Sequence, residues 1–249
     1  MAETVTLLIT TIVIFVAAIV IYYASYLFFG SSVATEYVLK SSVDGSHKPA
    51  DIRIPANRMD ALAGYADYSF SMWLYINDFQ TGFGKPKILM GRGDGNTVNP
   101  EVYIENDTNT LCLALGYHAK GATKRMVCKI PNVPVQRWVN LTANVLSNGV
   151  NVYLNGRLFR SCSVPPGEGP LASPGSAPLT ILPTIFGGQV SSIFFRNKSM
   201  SADEINAVYH AGPGASTTGL LTTLFGIREI QFVFTDTGSR GDDKYTLTF

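Results

Sequence analysis

The chain has 249 residues, of which 46% are hydrophobic and 15% charged, with a formal net charge of +1. That length holds one large core or two small domains. The balanced charge excludes the electrostatic pull that nucleic-acid binders use, and no P-loop, nucleotide fingerprint, zinc spacing or Ser-His-Asp arrangement is visible.

The first element is apolar. No charged residue lies between Thr4 and Thr35, and VTLLITTIVIFVAAIVIYYASYLFF fills residues 5–29. A bilayer span takes about 20 apolar residues, so residues 1–30 read as a transmembrane anchor in contact with the lipid bilayer. Tyr22, Tyr23 and Tyr26 cluster at its C-terminal end, where amphipathic rings favour the interface. A cleaved signal peptide is the rival, with Ser32 and Ala34 as small residues before a cut. Against it, the run is long for a signal's apolar region and no Lys or Arg precedes it. Lys40, Lys48, Arg53 and Arg58 follow the span. The positive-inside rule then makes this a single-pass protein with its C-terminal domain on the cytosolic side.

Residues 31–55 read as a linker with a first strand at Glu36–Ser41, and residues 56–214 as the main domain. In YSFSMWLYI, Phe70, Met72, Leu74 and Ile76 share one face and Ser69, Ser71, Trp73 and Tyr75 the other, the period of a strand. Lys87–Gly91, Glu101–Asn106 and Thr110–Gly116 are shorter candidates. WVNLTANVLSNGVNVYLNGRLF alternates through Val139, Leu141, Ala143 and Val145, turns at Asn148-Gly149, alternates again through Val150, Val152 and Leu154, and turns at Asn155-Gly156. Both dipeptides tolerate positive φ, which predicts a β-meander running into Arg157–Cys162. Residues 163–178 hold five prolines and form a loop. Strands resume at Leu179–Leu182 and Gln189–Arg196. Ser201 and Glu204 form a capping box, Ile205, Val208 and Tyr209 make an apolar stripe, and Gly212-Pro213 ends a short helix. In residues 215–249, Ile230, Phe232 and Phe234 alternate, as do Tyr245, Leu247 and Phe249. They predict a hairpin around Thr237–Asp243 packed on the main domain.

Cys112, Cys128 and Cys162 make an odd count without a CxxC pair; at most one bridge forms within the chain, and the ordinary reading is three free thiols in a reducing compartment. Asn106, Asn140 and Asn197 open N-x-[ST] sequons that matter only if the domain faces a lumen.

Three pieces together resemble the laminin-G-like, concanavalin A-like jelly-roll superfamily. They are YSFSMWLYI, the hairpin RWVNLTANVLSNGVNVYLNGRLF, and GQVSSIFFRNKSMSADEINAVYHAG, in which a late strand runs into a short helix. The resemblance covers about residues 55–212. It implies an all-β antiparallel sandwich with one short helix at its edge, and edge loops that bind glycans, proteins or calcium. The family's acidic pair in the late strand is replaced here by Val190, Ser191, Ser192 and Ile193, so its calcium site is not expected. An anchor bearing one such domain also resembles minor structural (capsid) proteins of large icosahedral DNA viruses with an internal membrane.

Each candidate site has a chemistry and an ordinary alternative. Glu101 and Glu105 in PEVYIEND resemble the carboxylates of the superfamily's retaining glucanases, with Tyr103 in place of the intervening Asp. On a strand they lie about 13 Å apart at the backbone, while a retaining pair needs about 5–5.5 Å, so solvated strand carboxylates are the expectation. Two Arg-Gly-Asp triplets, Arg92-Gly93-Asp94 and Arg240-Gly241-Asp242, are adhesion-like or plain turns. Asp94, Asn96, Asp107, Asp242 and Asp243 are oxygen ligands that calcium would accept, though no metal site or other cofactor is expected. Trp73, Tyr75, Tyr103 and Tyr153 would stack on sugars if they line a concave face, or pack against a covering layer.

The reading is a non-catalytic, membrane-anchored sandwich that binds a protein partner, as a minor virion component linking an internal membrane to capsid proteins. The alternatives are a surface or luminal lectin-like glycan-binding module, which occupied sequons and a Cys128–Cys162 bridge would favour, and a divergent glycanase. No nucleic acid is expected as a partner.

Overall fold

Strands that alternate apolar and polar residues bury one face at once, and two such sheets facing each other make the core. The computed structural model describes residues 14–17, 19, 35–39, 41–56, 67–214, 232–234 and 245–247. The chain divides into two units, Met1–Ala34 and Thr35–Phe249. In the first, residues 14–17 and 19 are helical, and Ile14, Phe15, Val16 and Ile19 are exposed. The rest of the expected span lies outside the described residues. Among those described, no helix is long and apolar enough to cross a membrane.

The second unit is an antiparallel two-sheet sandwich, as expected. One sheet runs β1 (Thr35–Leu39), β13 (Gly188–Arg196), β4 (Tyr68–Ile76), β9 (Trp138–Leu146), β10 (Gly149–Leu154) and β11 (Arg157–Ser163) in spatial order, with β2 (Val43–Asp44) also on β13. The other runs β3 (Ile52–Ile54), β12 (Leu179–Ile181), β5 (Lys87–Arg92), β6 (Glu101–Ile104), β7 (Leu111–Ala119) and β8 (Ala122–Ile130). The segment 31–55 therefore contributes strands to both sheets. β14 (Phe232–Phe234) and β15 (Tyr245–Leu247) pair with each other as the predicted closing hairpin does.

The inner faces supply the core: Phe70, Met72, Leu74 and Ile76 of β4, Val139, Leu141, Ala143 and Val145 of β9, and Leu111, Leu113 and Leu115 of β7 are all fully buried. The two asparagine–glycine turns differ. Asn155 and Gly156 both take positive φ, as their hairpin requires. The other turn uses Ser147 and Asn148, with Gly149 already in β10. Gly149 is needed for close approach instead, because a Cβ there would lie 2.5 Å from the Cys162 carbonyl oxygen.

Helix α1 (Ala202–Ala211) has the predicted capping box and a positive-φ Gly212 behind it. It covers the outer face of the first sheet, where an edge position was expected. Ile205 and Val208 pack with Phe194, Met200 and Tyr153 in a second cluster outside the main core. Trp73 stacks on Tyr209 with ring centroids 5.9 Å apart. Beneath the helix and the segment leading into it, the polar residues of the alternation are buried too: Ser69, Ser71, Asn140, Thr142, Asn144, Ser191, Ser192 and Arg196. Buried polar groups need partners, and each of these residues has at least one, although Arg196 Nε itself is left without one. Asn140 Nδ2 donates to Ser71 Oγ at 3.0 Å. Ser69 donates to the Lys198 carbonyl, and Ser191 and Ser192 both donate to that of Pro213. Arg196 donates through both terminal nitrogens to Glu204 Oε1 at 3.1 Å.

Asn144 ties the helix-leading segment down by donating to the Met200 carbonyl (2.8 Å) and accepting from the Met200 N–H (2.9 Å). Asn144→Ala leaves both backbone groups buried without those bonds. It is expected to lower unfolding free energy by about 2–4 kcal/mol, read from urea denaturation. The Arg196–Glu204 pair makes docking acid-sensitive. Burial alone would raise the Glu204 carboxyl, but the Ser201 N–H and the Arg196 guanidinium outweigh it and hold it below the usual range. A depressed carboxylate stabilises the fold above its unfolded pKa and loses that contribution as pH falls through its folded pKa. Wild type should therefore lose stability below about pH 4 more steeply than Glu204→Gln. At pH 7 that variant should be less stable by about 1–3 kcal/mol, because a nearly inaccessible guanidinium loses its carboxylate.

Candidate functional site

The outer face of the second sheet carries Glu101 and Tyr103 on β6 and Glu105 just beyond it. Cys112 on β7, and Arg125 and Lys129 on β8, share that face by register. The two glutamates are joined to cations on β8: Glu101 accepts from Arg125, and Glu105 from Lys129 and from Thr108. The Lys129 ammonium, then the Thr108 hydroxyl, hold the Glu105 carboxyl below its ordinary value. A glycosidase general acid needs the opposite shift. Tyr103 lies beneath the Arg125 guanidinium, 5.5 Å from the ring centroid, and burial pushes its phenol up. The arrangement is a cross-strand ladder of ion pairs that shields the buried free Cys112.

The four candidate aromatics do not form one platform, since Tyr103 lies on a different sheet from Trp73, Tyr75 and Tyr153. Trp73 is 5% exposed against Tyr209, and Tyr153 packs on the helix cluster. Tyr75 keeps partial exposure in an edge-on pair with Trp138, centroids 5.6 Å apart. Trp138, absent from the sequence-derived candidates, is its cross-strand partner through the β4–β9 register.

Arg92 of the first Arg-Gly-Asp triplet is 6% exposed and donates to the Ala177 (3.1 Å) and Gly175 (3.0 Å) carbonyls. Its guanidinium staples the proline-rich loop to β5, which corrects the adhesion-like reading for this triplet. Gly93 turns the chain at φ +85° and Asp94 accepts from the Thr97 hydroxyl. The second triplet, Arg240-Gly241-Asp242, lies outside the described residues, as does Asp243. Among the described residues no three His, Cys, Asp or Glu side chains converge as metal ligands. A cavity of about 280 Å³ beside the Ser147–Asn148 turn is lined by the proline-rich loop at Val164–Pro170. Its carboxylate, Glu168, is paired with Lys124.

The expectation of three free thiols is corrected. Cys128 of β8 and Cys162 of β11 form a disulfide with Cα atoms 5.8 Å apart, and Cys112 alone is free. The bridge joins the terminal strands of the two sheets. Neither cysteine stands out in sequence, because the pairing depends on which strands end their sheets.

The fold is an antiparallel two-sheet sandwich. A laminin-G family model, described as the concanavalin A-like lectin/glucanases superfamily, matches residues 48–206. The chain belongs to that superfamily. No curated protein sequence matches it. Among solved structures it is similar to the binding domain of botulinum neurotoxin serotype D, at a TM-score of 0.50 and 15% identity, over 72% of this chain and 46% of that one. The serotype G binding domain gives 0.45 at 13% identity, over 72% and 47%. The chain thus spans less than half the length of these structures, and the likeness to the serotype D domain is one of fold.

The three sequons differ in accessibility. Asn106 is exposed and Asn197 half-buried. Asn140 is fully buried, with its amide nitrogen donating to Ser71 Oγ. A glycan on Asn140 cannot coexist with that packing. When the chain is directed into a glycosylating lumen, folded protein should carry no glycan at Asn140, whereas Asn106 accepts one without loss of the fold. Mass spectrometry after enzymatic deglycosylation, separately on folded and aggregated fractions, checks this.

Proposed function

We propose that the sandwich is a non-catalytic binding module held at a membrane by residues 5–29, and that what it holds is a protein. One observation carries the choice. The side chains suited to other chemistry are already engaged: Glu101 and Glu105 with Arg125 and Lys129, Trp73 with Tyr209, Tyr103 with Arg125. What stays exposed and apolar in the sandwich includes Leu158, Phe159 and Val127, side chains of a kind that protein interfaces bury. The superfamily includes glucanases as well as lectins, but the lowered Glu105 carboxyl argues against a general acid there. The resemblance of the anchored build to minor capsid proteins supplies a setting, in which the partner is a shell protein over an internal membrane. The cytosolic side is then the place of assembly.

A second reading is a surface or luminal glycan-binding module. The bridge itself and the partly exposed Tyr75–Trp138 pair favour it.

Cross-linking of the full chain in its native membrane assembly separates the two. The expected result is a covalent protein neighbour on the sandwich. Glu101→Gln and Glu105→Gln should leave that capture intact, and wild type should cleave no β-glucan. Glycan-array binding abolished by Trp138→Ala, with no protein neighbour, would replace the first reading by the second.

A further inference from the structure

Among the described residues, β11 ends its sheet and pairs with β10 alone. Among the described residues, no backbone group of Arg157–Ser163 bonds to backbone outside that pairing. The pairing slips at one point: Val152 faces Arg160 and Tyr153 faces Leu158, so Phe159 is an extra residue. A bulge re-aims the side chains around it. Here it leaves Leu158 58% and Phe159 43% exposed, adjacent to each other on an open edge. Soluble sheets keep such edges short, charged or covered, because they template strand addition.

The charge at this edge has one sign. β8 and β11 together hold Lys124, Arg125, Lys129, Arg157 and Arg160 and no carboxylate. The β8 cations are matched by Glu168, Glu101 and Glu105. Arg160 donates to the Lys129 carbonyl at 2.9 Å. Among the described residues neither Arg157 nor Arg160 joins a carboxylate in an ion pair, so the matched charge ends where β11 begins. The disulfide fixes β11 against β8, so little of this surface must be ordered on binding.

We propose that β11 is a docking strand that accepts an extended, acidic segment of a protein partner as an added strand. The backbone of Arg157–Ser163 supplies the hydrogen bonds, Leu158 and Phe159 the apolar anchor, and Arg157 and Arg160 the selection for carboxylates. This rests on the protein-partner reading above. A second copy is the wrong occupant, because two RLFRSCS edges would set arginines against arginines. A lipid surface fits less well, since hydrocarbon leaves an open strand edge unsatisfied.

The test places a photo-reactive phenylalanine at position 158 or 159 of the full chain, and at the exposed Phe83 and Val135 as controls. Irradiation is done in the native membrane assembly and the linked segment is sequenced by mass spectrometry. The expected product is an acidic segment of another protein. Arg157→Glu with Arg160→Glu should cut its yield about tenfold or more, as should raising salt to about 1 M. Both arginines are exposed, so an unchanged melting temperature and an intact Cys128–Cys162 bridge show that the double variant is folded. Capture of lipid, of a second copy, or of a segment indifferent to the charge reversal overturns the proposal. Capture only at Phe83 or Val135 overturns the strand assignment and keeps the protein-partner reading. No protein at any position overturns both.

Discussion

Burying the polar side of a sheet is permitted only when each of its hydroxyls, amides and charges finds a partner, and that requirement organises this sandwich. The face of β4, β9 and β13 that carries serine, threonine and asparagine lies under α1 and the segment leading into it. Ser71, Asn140 and Thr142 bond among themselves, and Asn144 and Ser69 reach the backbone of residues 198–200. These bonds fix the path of the chain into Ser201, where the capping box starts the helix. Ile205, Val208 and Tyr209 then meet Phe194 and Trp73 already in register. The apolar contacts supply the driving force, and the polar ones select the single place where it can act.

The same economy governs the opposite face. Glu101, Glu105, Arg125 and Lys129 sit in pairs across β6 and β8, which neutralises a surface that would otherwise show unmatched charge. Tyr103 and Cys112 are covered as a result. One face lies under a helix and the other carries ion pairs, and the apolar surface still open on the described sheet faces includes the Tyr75–Trp138 corner and Val127. Edges and loops remain to make contacts, and among the described residues the β11 edge combines the bridge, a bulge and two arginines outside any carboxylate ion pair.

Much of this is legible in the amino-acid sequence. β4, β9 and β10 alternate cleanly because their inner faces are uniformly aliphatic, and α1 announces itself through Ser201, Glu204 and Gly212. β8 was missed because it is an edge strand: Thr123, Lys124 and Arg125 begin it with polar residues on both faces, so no period of two appears. The two-sided burial of β4 and β9 was hidden for a related reason. Ser, Thr and Asn look the same to a periodicity argument whether they meet water or other side chains. Arg92 read as an exposed turn residue because its carbonyl partners, on Gly175 and Ala177, lie far along the chain. From sequence the Cys128–Cys162 pair stands only as a conditional alternative, since adjacency of β8 and β11 is a property of topology and not of spacing.

Strand order also explains why the bridge lies at the edge that carries the exposed apolar pair. A terminal strand holds only one row of ladder bonds, and a bulge interrupts even that row at Phe159. Left alone, β11 would fray readily, as a terminal strand with an interrupted ladder does. Cross-linking Cys162 to Cys128 ties that end of β11 to a strand of the opposite sheet, so the edge stays rigid while its outward backbone groups stay open. A rigid open edge is costly to maintain for stability alone, because burying Leu158 and Phe159 would gain more. It is well suited to contact with another chain, where the unspent hydrogen bonds and apolar area are realised together on binding.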